Sequence, residues 1–175
     1  QQILKKLVKD ASNENKPSAV LSFQPHPRQF FSRNLDRYQI IGDIKKQTLL
    51  KHLGIDNFFS LFFDKSIANL SPTDFITKII IQQLHVSKLM VGYDFRFGKD
   101  REGDTLLLKD FALVHGFNLS VIEPIKDKLT DKIYSSSVIR DAIKRGDMQL
   151  ANKMLGYVWT MDGEVIHGDK RARKI

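Results

Sequence analysis

Apolar positions along the chain alternate between helical spacing and short extended runs. Ile3, Leu4, Leu7, Val8 and Ala11 recur at helical spacing, and Asn13–Pro17 ends that helix. Ala19–Phe23 reads as a short buried strand, followed by the polar, proline-containing segment Gln24–Arg37. The spacing predicts a helix over Lys45–Leu53, with Leu49, Leu50 and Leu53 on one face and Gly54 as its stop. Phe58–Phe63 is a continuous apolar run, the mark of a strand covered on both faces. Ser71, Pro72 and Asp74 open the next helix as N-cap, first and third positions, and Phe75, Ile76, Ile79, Ile80 and Leu84 form its buried stripe. Lys88–Gly92 and Leu119–Glu123 read as strands around a helix Thr105–His115 that Gly116 ends. Two short helices follow, Ser136–Lys144 and Met148–Leu155, separated by Gly146-Asp147 and closed by Gly156. Val158–Met161 and Glu164–Ile166 around Asp162-Gly163 predict a β-hairpin.

Strands alternating with helices, with apolar strands, predict an α/β fold: a parallel sheet with helices on both faces. In such sheets ligands bind beyond the carboxyl ends of the strands. That rule points to the loops after Phe23, Phe63, Gly92 and Glu123.

Composition narrows the chemistry. A length of 175 residues allows one domain, or one domain and part of another. The absence of cysteine excludes thiolate zinc sites, thiol catalysis and iron–sulfur clusters. No apolar run approaches a membrane span, and Lys5, Lys6 and Lys9 interrupt the N-terminal apolar positions, so the expectation is a cytoplasmic protein with no signal peptide. The net charge is +8. In the tail His167–Ile175, Lys170, Arg171, Arg173 and Lys174 stand against Asp169, which makes the tail +3 and leaves +5 for residues 1–166. Such a mild excess suits an anionic small molecule as well as a polynucleotide. All 12 phenylalanines lie between Phe23 and Phe117. His52, His85, His115 and His167 have no metal-ligand spacing, and neither a G-x-S-x-G elbow nor a P-loop is present.

Three of the strand-end loops carry unusual chemistry. In Ser22-Phe23-Gln24-Pro25-His26-Pro27, two prolines stiffen an extended backbone and present His26 rather than pack it. In Val91-Gly92-Tyr93-Asp94-Phe95-Arg96-Phe97-Gly98, alternation puts Asp94 and Arg96 on one side and Phe95 and Phe97 on the other. In Ile133-Tyr134-Ser135-Ser136-Ser137-Val138-Ile139-Arg140, three serines open a helix whose first turn bears an arginine, an arrangement suited to a phosphate. Each loop also has a purely structural reading: a rigid turn, a surface hairpin with an ion pair, a serine cap.

Taken together and in order, the three loops resemble the F-x-P-H-P, V-G-x-D-F-R-F-G and S-S-T-x-I-R motifs of the FMN adenylyltransferase module of bacterial bifunctional riboflavin kinase/FAD synthetases. Ser137 stands where the family has threonine, which keeps a hydroxyl. Lys46 and Leu50 before Leu53-Gly54-Ile55-Asp56, then Gly103-Asp104, Gly146-Asp147 and Leu155-Gly156, also fit. The resemblance implies a Rossmann-like nucleotidyltransferase fold over residues 1–157. It implies transfer of AMP from ATP to FMN, with Mg²⁺ brought by ATP and no protein-held metal. It assigns Arg140, Ser136 and Ser137 to catalysis on the ATP phosphates. Pro25, His26, Asp94, Phe95, Arg96, Phe97 and Ser135 become substrate-binding positions, the Asp94–Arg96 loop at the flavin side. Which of Asp94 and Arg96 faces flavin or ATP stays open.

Two departures accompany the resemblance. The family carries an H-x-G-H element just before the first helix, where this chain reads Gln1-Gln2-Ile3-Leu4. The expectation is that the first strand and the phosphate-stabilising histidines are missing, so that residues 1–175 alone make no FAD. Residues 158–175 resemble the opening of a β-barrel riboflavin kinase domain, with Ala172 in place of glycine and no P-T-A-N element following. Riboflavin, ATP and FMN are then the small-molecule partners, with neither nucleic acid nor membrane. The alternatives are a related nucleotidyltransferase with another phosphorylated acceptor, and a basic nucleic-acid-binding module whose affinity would fall steeply with salt.

Overall fold

The structure is a computed structural model, and it describes residues 2–32, 39–125, 133–161 and 163. The chain opens with helix α1 (Gln2–Asn13) and strand β1 (Ala19–Gln24), then helices α2 (Pro27–Phe31) and α3 (Asp43–His52). Strand β2 (Asn57–Phe62) precedes the short helices α4 (Lys65–Ala68) and α5 (Pro72–Asp74). From α5 the chain continues as a π-helix, Phe75–Gln83, into strand β3 (Lys88–Gly92). A 3₁₀ turn at Lys99–Arg101 leads to α6 (Thr105–His115) and β4 (Asn118–Ile122), and α7 (Ser136–Lys144) and α8 (Met148–Leu155) follow.

The strands are parallel, as the alternation predicts, but they do not make one sheet. β1 pairs with β2 from Ala19↔Asn57 to Gln24↔Phe62, and β3 pairs with β4 from Lys88↔Asn118 to Gly92↔Ile122. The described strands therefore form two two-stranded sheets. A cavity of about 650 Å³ lies between them, walled by β1 (Val20, Leu21) and β3 (Leu89, Val91), with Leu4 and Leu7 of α1 along it. Ladder hydrogen bonds need strands about 4.8 Å apart, and this slot separates β1 from β3.

The two pairs of strands nevertheless point the same way. At one end Lys88, which begins β3, pairs with Asp10 of α1 at 2.9 Å and with Glu14, in the turn between α1 and β1, at 3.3 Å. At the other end Phe23 of β1 packs against the Phe75 ring, which packs against Phe97 just beyond β3, both pairs tilted. Both carboxyl ends thus open on one side of the molecule, where the ligand rule for α/β sheets places a site.

The core is built on the expected stripe. Phe75, Ile76, Ile79 and Ile80 are buried with Phe97 and Leu108, and Leu21, Phe23, Leu61 and Leu89 pack against them. The winding is looser than an ordinary helix: Leu84 N–H donates to the carbonyl of Ile79, five residues back, at 3.0 Å. The reading of Phe58–Phe63 as a strand covered on both faces is corrected. Phe59 is 42% and Phe62 71% exposed, and by alternation they lie on opposite faces of β2, so neither face is fully covered.

Beyond α8, the indole N–H of Trp159 donates to the carbonyl of Ile40 at 2.8 Å, and its backbone N–H to Asn152 Oδ1 at 2.7 Å. Residues 158–161 are irregular rather than a strand. The rest of the expected hairpin and the basic tail lie outside the described residues. No helix among the described residues is long and apolar enough to cross a membrane.

Candidate functional site

The loop after β1 turns directly into α2. The Gln24-Pro25 peptide is cis, and Pro27 opens the helix with His26 as its N-cap. His26 Nδ1 accepts from the Arg28 N–H at 3.2 Å, while its own N–H donates to Gln29 Oε1 at 3.3 Å, which makes a capping box. An Nδ1 that accepts leaves the neutral ring's proton on Nε2. The expectation that His26 is presented rather than packed is corrected: the ring is half-buried and one nitrogen is committed to the cap. Burial holds its pKa below the ordinary imidazole value, and the charges of Arg140, Arg28 and Lys46 press the same way.

Those three charges show what the fold brings together. Arg140 comes from α7, Lys46 from α3 and Arg28 from α2, elements far apart along the chain. Lys46 is steadied by Asp43 at 3.0 Å and lies 5.9 Å over the Phe58 ring. Ser135 is the N-cap of α7, its hydroxyl accepting from the Val138 N–H at 3.4 Å, so the capping role is real. Ser136 and Ser137 fill the first two helical positions and are exposed, where backbone N–H groups find no partner within the helix. Ile139 and Ala142 are buried and fix the helix on the body, while Arg140 on the same turn stays half-exposed beside His26. The result is a basic pole of three cationic side chains around His26, electrostatically suited to a polyphosphate.

The loop after β3 has the predicted alternation. Asp94 and Arg96 are exposed, Phe95 is half-buried, and Phe97 is 6% exposed, packed 5.4 Å from both Phe75 and Phe95 between ring centroids. Phe97 is therefore part of the core. It anchors the loop, so its expected place among substrate-facing residues is corrected to a supporting one. An antiparallel bridge joins Phe97 to Gly103, with N–H to carbonyl distances of 3.1 and 2.9 Å. A Cβ on Gly103 would lie 2.6 Å from the Phe97 ring, and one on Gly98, at φ +73°, would lie 2.7 Å from the backbone of Pro72. Asp104 follows the bridge and caps α6. Its other oxygen meets Arg96 Nη1 at 3.2 Å.

Pro25 and His26 follow β1 directly, Ser135, Ser136, Ser137 and Arg140 form the first turns of α7 with the Arg140 charge felt at His26, and Asp94, Phe95 and Arg96 follow β3. A chain of rings, Phe63–Phe23–Phe75–Phe97–Phe95, connects β1 with the loop after β3. Arg28 and Lys46 join the basic pole although the sequence assigns neither to a site: Lys46 only fits the family pattern, and nothing marks Arg28. Among the described residues, no three histidine, aspartate or glutamate side chains gather as a metal site.

Comparison with known proteins places this geometry. The model of the FAD synthetase family matches residues 1–137. The bifunctional riboflavin kinase/FMN adenylyltransferase of Escherichia coli K12 is 31% identical over 173 residues, covering 99% of this chain and 55% of its own length. That of Listeria monocytogenes is 33% identical over 176 residues, covering 100% and 55%. That of Buchnera aphidicola from Acyrthosiphon pisum is 36% identical over 154 residues, covering 88% and 49%. The chain spans about half the length of these curated relatives. A crystal structure of a Streptococcus pneumoniae protein described as a macrolide-efflux protein superposes with a TM-score of 0.78 over 99% of this chain and 55% of that one, at 23% identity. At that identity the likeness speaks for the fold alone.

Proposed function

We propose that this chain, which belongs to the FAD synthetase family, transfers AMP from ATP to FMN, giving FAD and pyrophosphate. The observation that carries the reading is that the charges of Arg28, Lys46 and Arg140, from three different helices, all act on His26 in the loop after β1. In this reading a phosphate oxygen of FMN attacks the α-phosphorus of ATP, the new P–O bond forms in line, and the α–β bridge breaks to release pyrophosphate. No enzyme-bound intermediate is required. Arg140, the Ser136 and Ser137 hydroxyls and the N–H groups of the first turn would hold the charge that grows on the leaving phosphates. His26, neutral before substrate binds, can add positive charge there if it takes a proton. Magnesium enters as part of Mg-ATP. FMN then lies toward the β3 end, with Asp94 and Arg96 against it.

The slot supports a second part of the proposal. Its walls are the facing edges of β1 and β3, with no strand partner there among the described residues, and α1 lies along it. A parallel strand of the full-length protein fits between them and would join both pairs into one sheet. The resemblance gives that strand the H-x-G-H pair, delivered at its carboxyl end beside the basic pole. In the same proposal the transferase domain ends near residue 157 and the full-length protein also phosphorylates riboflavin, as the relatives' names state of them.

Flavin fluorescence tests the reading on the full-length protein. FMN binding is expected to tighten when a non-hydrolysable Mg-ATP analogue is present, since the two sites share one face. A titration indifferent to adenine nucleotide would contradict it.

A further inference from the structure

Asp104 has two jobs that separate by oxygen. Its Oδ1 accepts the N–H groups of Leu106 and Leu107, both at 3.0 Å, and so caps α6. Its Oδ2 is left for Arg96 Nη1 at 3.2 Å. Residues 96 and 104 flank the Phe97–Gly103 bridge, so the pair is brought together by backbone hydrogen bonds and by a ring buried in the core. The approach is close enough that residue 103 has to be glycine, because any Cβ there would press on the Phe97 ring. The N–H donors of the helix start, Leu107 first, keep the carboxyl ionised by holding its pKa below the usual carboxylate range, and Arg96 acts in the same direction.

Arg96 and Asp104 are both well exposed, with side chains 47% and 32% accessible. An ion pair in that setting adds little to folding. Its evident effect is on geometry. One nitrogen of the guanidinium is tied to a carboxylate that is itself fixed to a helix end. An arginine otherwise free to sample many rotamers is held in one direction before substrate arrives, which reduces the ordering cost of binding.

We propose that Asp104 is a positioning residue for the flavin substrate: through Arg96 it pre-orients the guanidinium that receives FMN. The proposal rests on the reading that Arg96 contacts FMN. The assignment to FMN rather than ATP follows from placement: the basic pole at α7 takes the polyphosphate, and Arg96 stands beyond β3.

The test uses the full-length protein and steady-state FAD formation with Asp104→Asn, Arg96→Ala and the double variant. Asparagine keeps an oxygen that caps α6 well, so thermal unfolding of Asp104→Asn should match the parent while the ion pair is lost. The expected result is a rise of about 2- to 5-fold in KM for FMN, the most an exposed ion pair can supply, with KM for ATP and kcat little changed. Arg96→Ala should raise the same KM at least as far, and the double variant should be no worse than Arg96→Ala alone. If Arg96→Ala moves KM for FMN but Asp104→Asn does not, or if the two effects multiply, the positioning role is wrong while the reading of Arg96 survives. If Arg96→Ala leaves KM for FMN unchanged, the reading of Arg96 fails and the role of Asp104 falls with it. A shift confined to KM for ATP would likewise overturn the assignment to FMN.

Discussion

Opposing demands meet at His26. Its Nδ1 must accept a hydrogen bond to start α2, and that is possible only while the nitrogen is unprotonated. Burial and the charges of Arg140, Arg28 and Lys46 favour the same neutral form. The folded-state pKa is thus depressed below the unfolded value, and between the two the unfolded chain binds more protons. His26 therefore contributes stability above its unfolded pKa, and this is lost as pH falls through the folded pKa. A bound polyphosphate would reverse the local field and favour the imidazolium. By NMR, the His26 ring is expected to titrate below the ordinary imidazole value in the free protein and to move upward when Mg-pyrophosphate is added. A free-protein titration above that value would contradict this electrostatic account. At this scale the sequence was informative where alternation or capping decides exposure, as for Asp94, Arg96, Phe97 and Ser135. It was silent where tertiary contact decides, as for Arg28 and Lys46 beside His26.

The helix that begins at Ser71 shows which features of an element are local. Its cap is: Ser71 Oγ accepts from the Asp74 N–H at 3.0 Å, with Pro72 in the first position. Its buried stripe is too, because Phe75, Ile76, Ile79 and Ile80 lie together under either winding. The π-helical winding is not local. The stripe meets Phe23, Phe97 and Leu108, contacts made from far along the chain, and no feature of the local sequence marks the wider winding. The same helix start also carries the loop after β3, since Gly98 passes against the backbone of Pro72. Gly98→Ala would face a positive φ and a clash that backbone cannot relieve, with an expected cost of roughly 2–4 kcal/mol. Ile76→Ala, at a position with 0% exposure, should cost about 2–5 kcal/mol as a cavity. Denaturant unfolding of the two variants checks both values. If Gly98→Ala were neutral, the close packing of this loop on α5 would be disproved.

Across the whole molecule, alternating strands and helices foretold parallel pairing, which both pairs of strands show. What could not be read from the residues alone is that β1 and β3 stand apart with a slot between them. A sheet's order depends on pairings between distant segments, and an apolar strand such as Ala19–Gln24 carries no mark of which neighbour it takes. The net charge of +8 reads differently once the fold is known. Part of it is gathered from α2, α3 and α7 into the basic pole, where it can meet a triphosphate. The most direct measurement is of both activities in the full-length protein carrying Arg140→Ala. FAD formation from FMN and ATP is expected to fall by about 100-fold or more, on the scale of removing one donor to developing charge, with riboflavin phosphorylation almost unchanged. Equal loss of the two activities, or full retention of FAD formation, would contradict the assignment of the pole at α7 to adenylyl transfer.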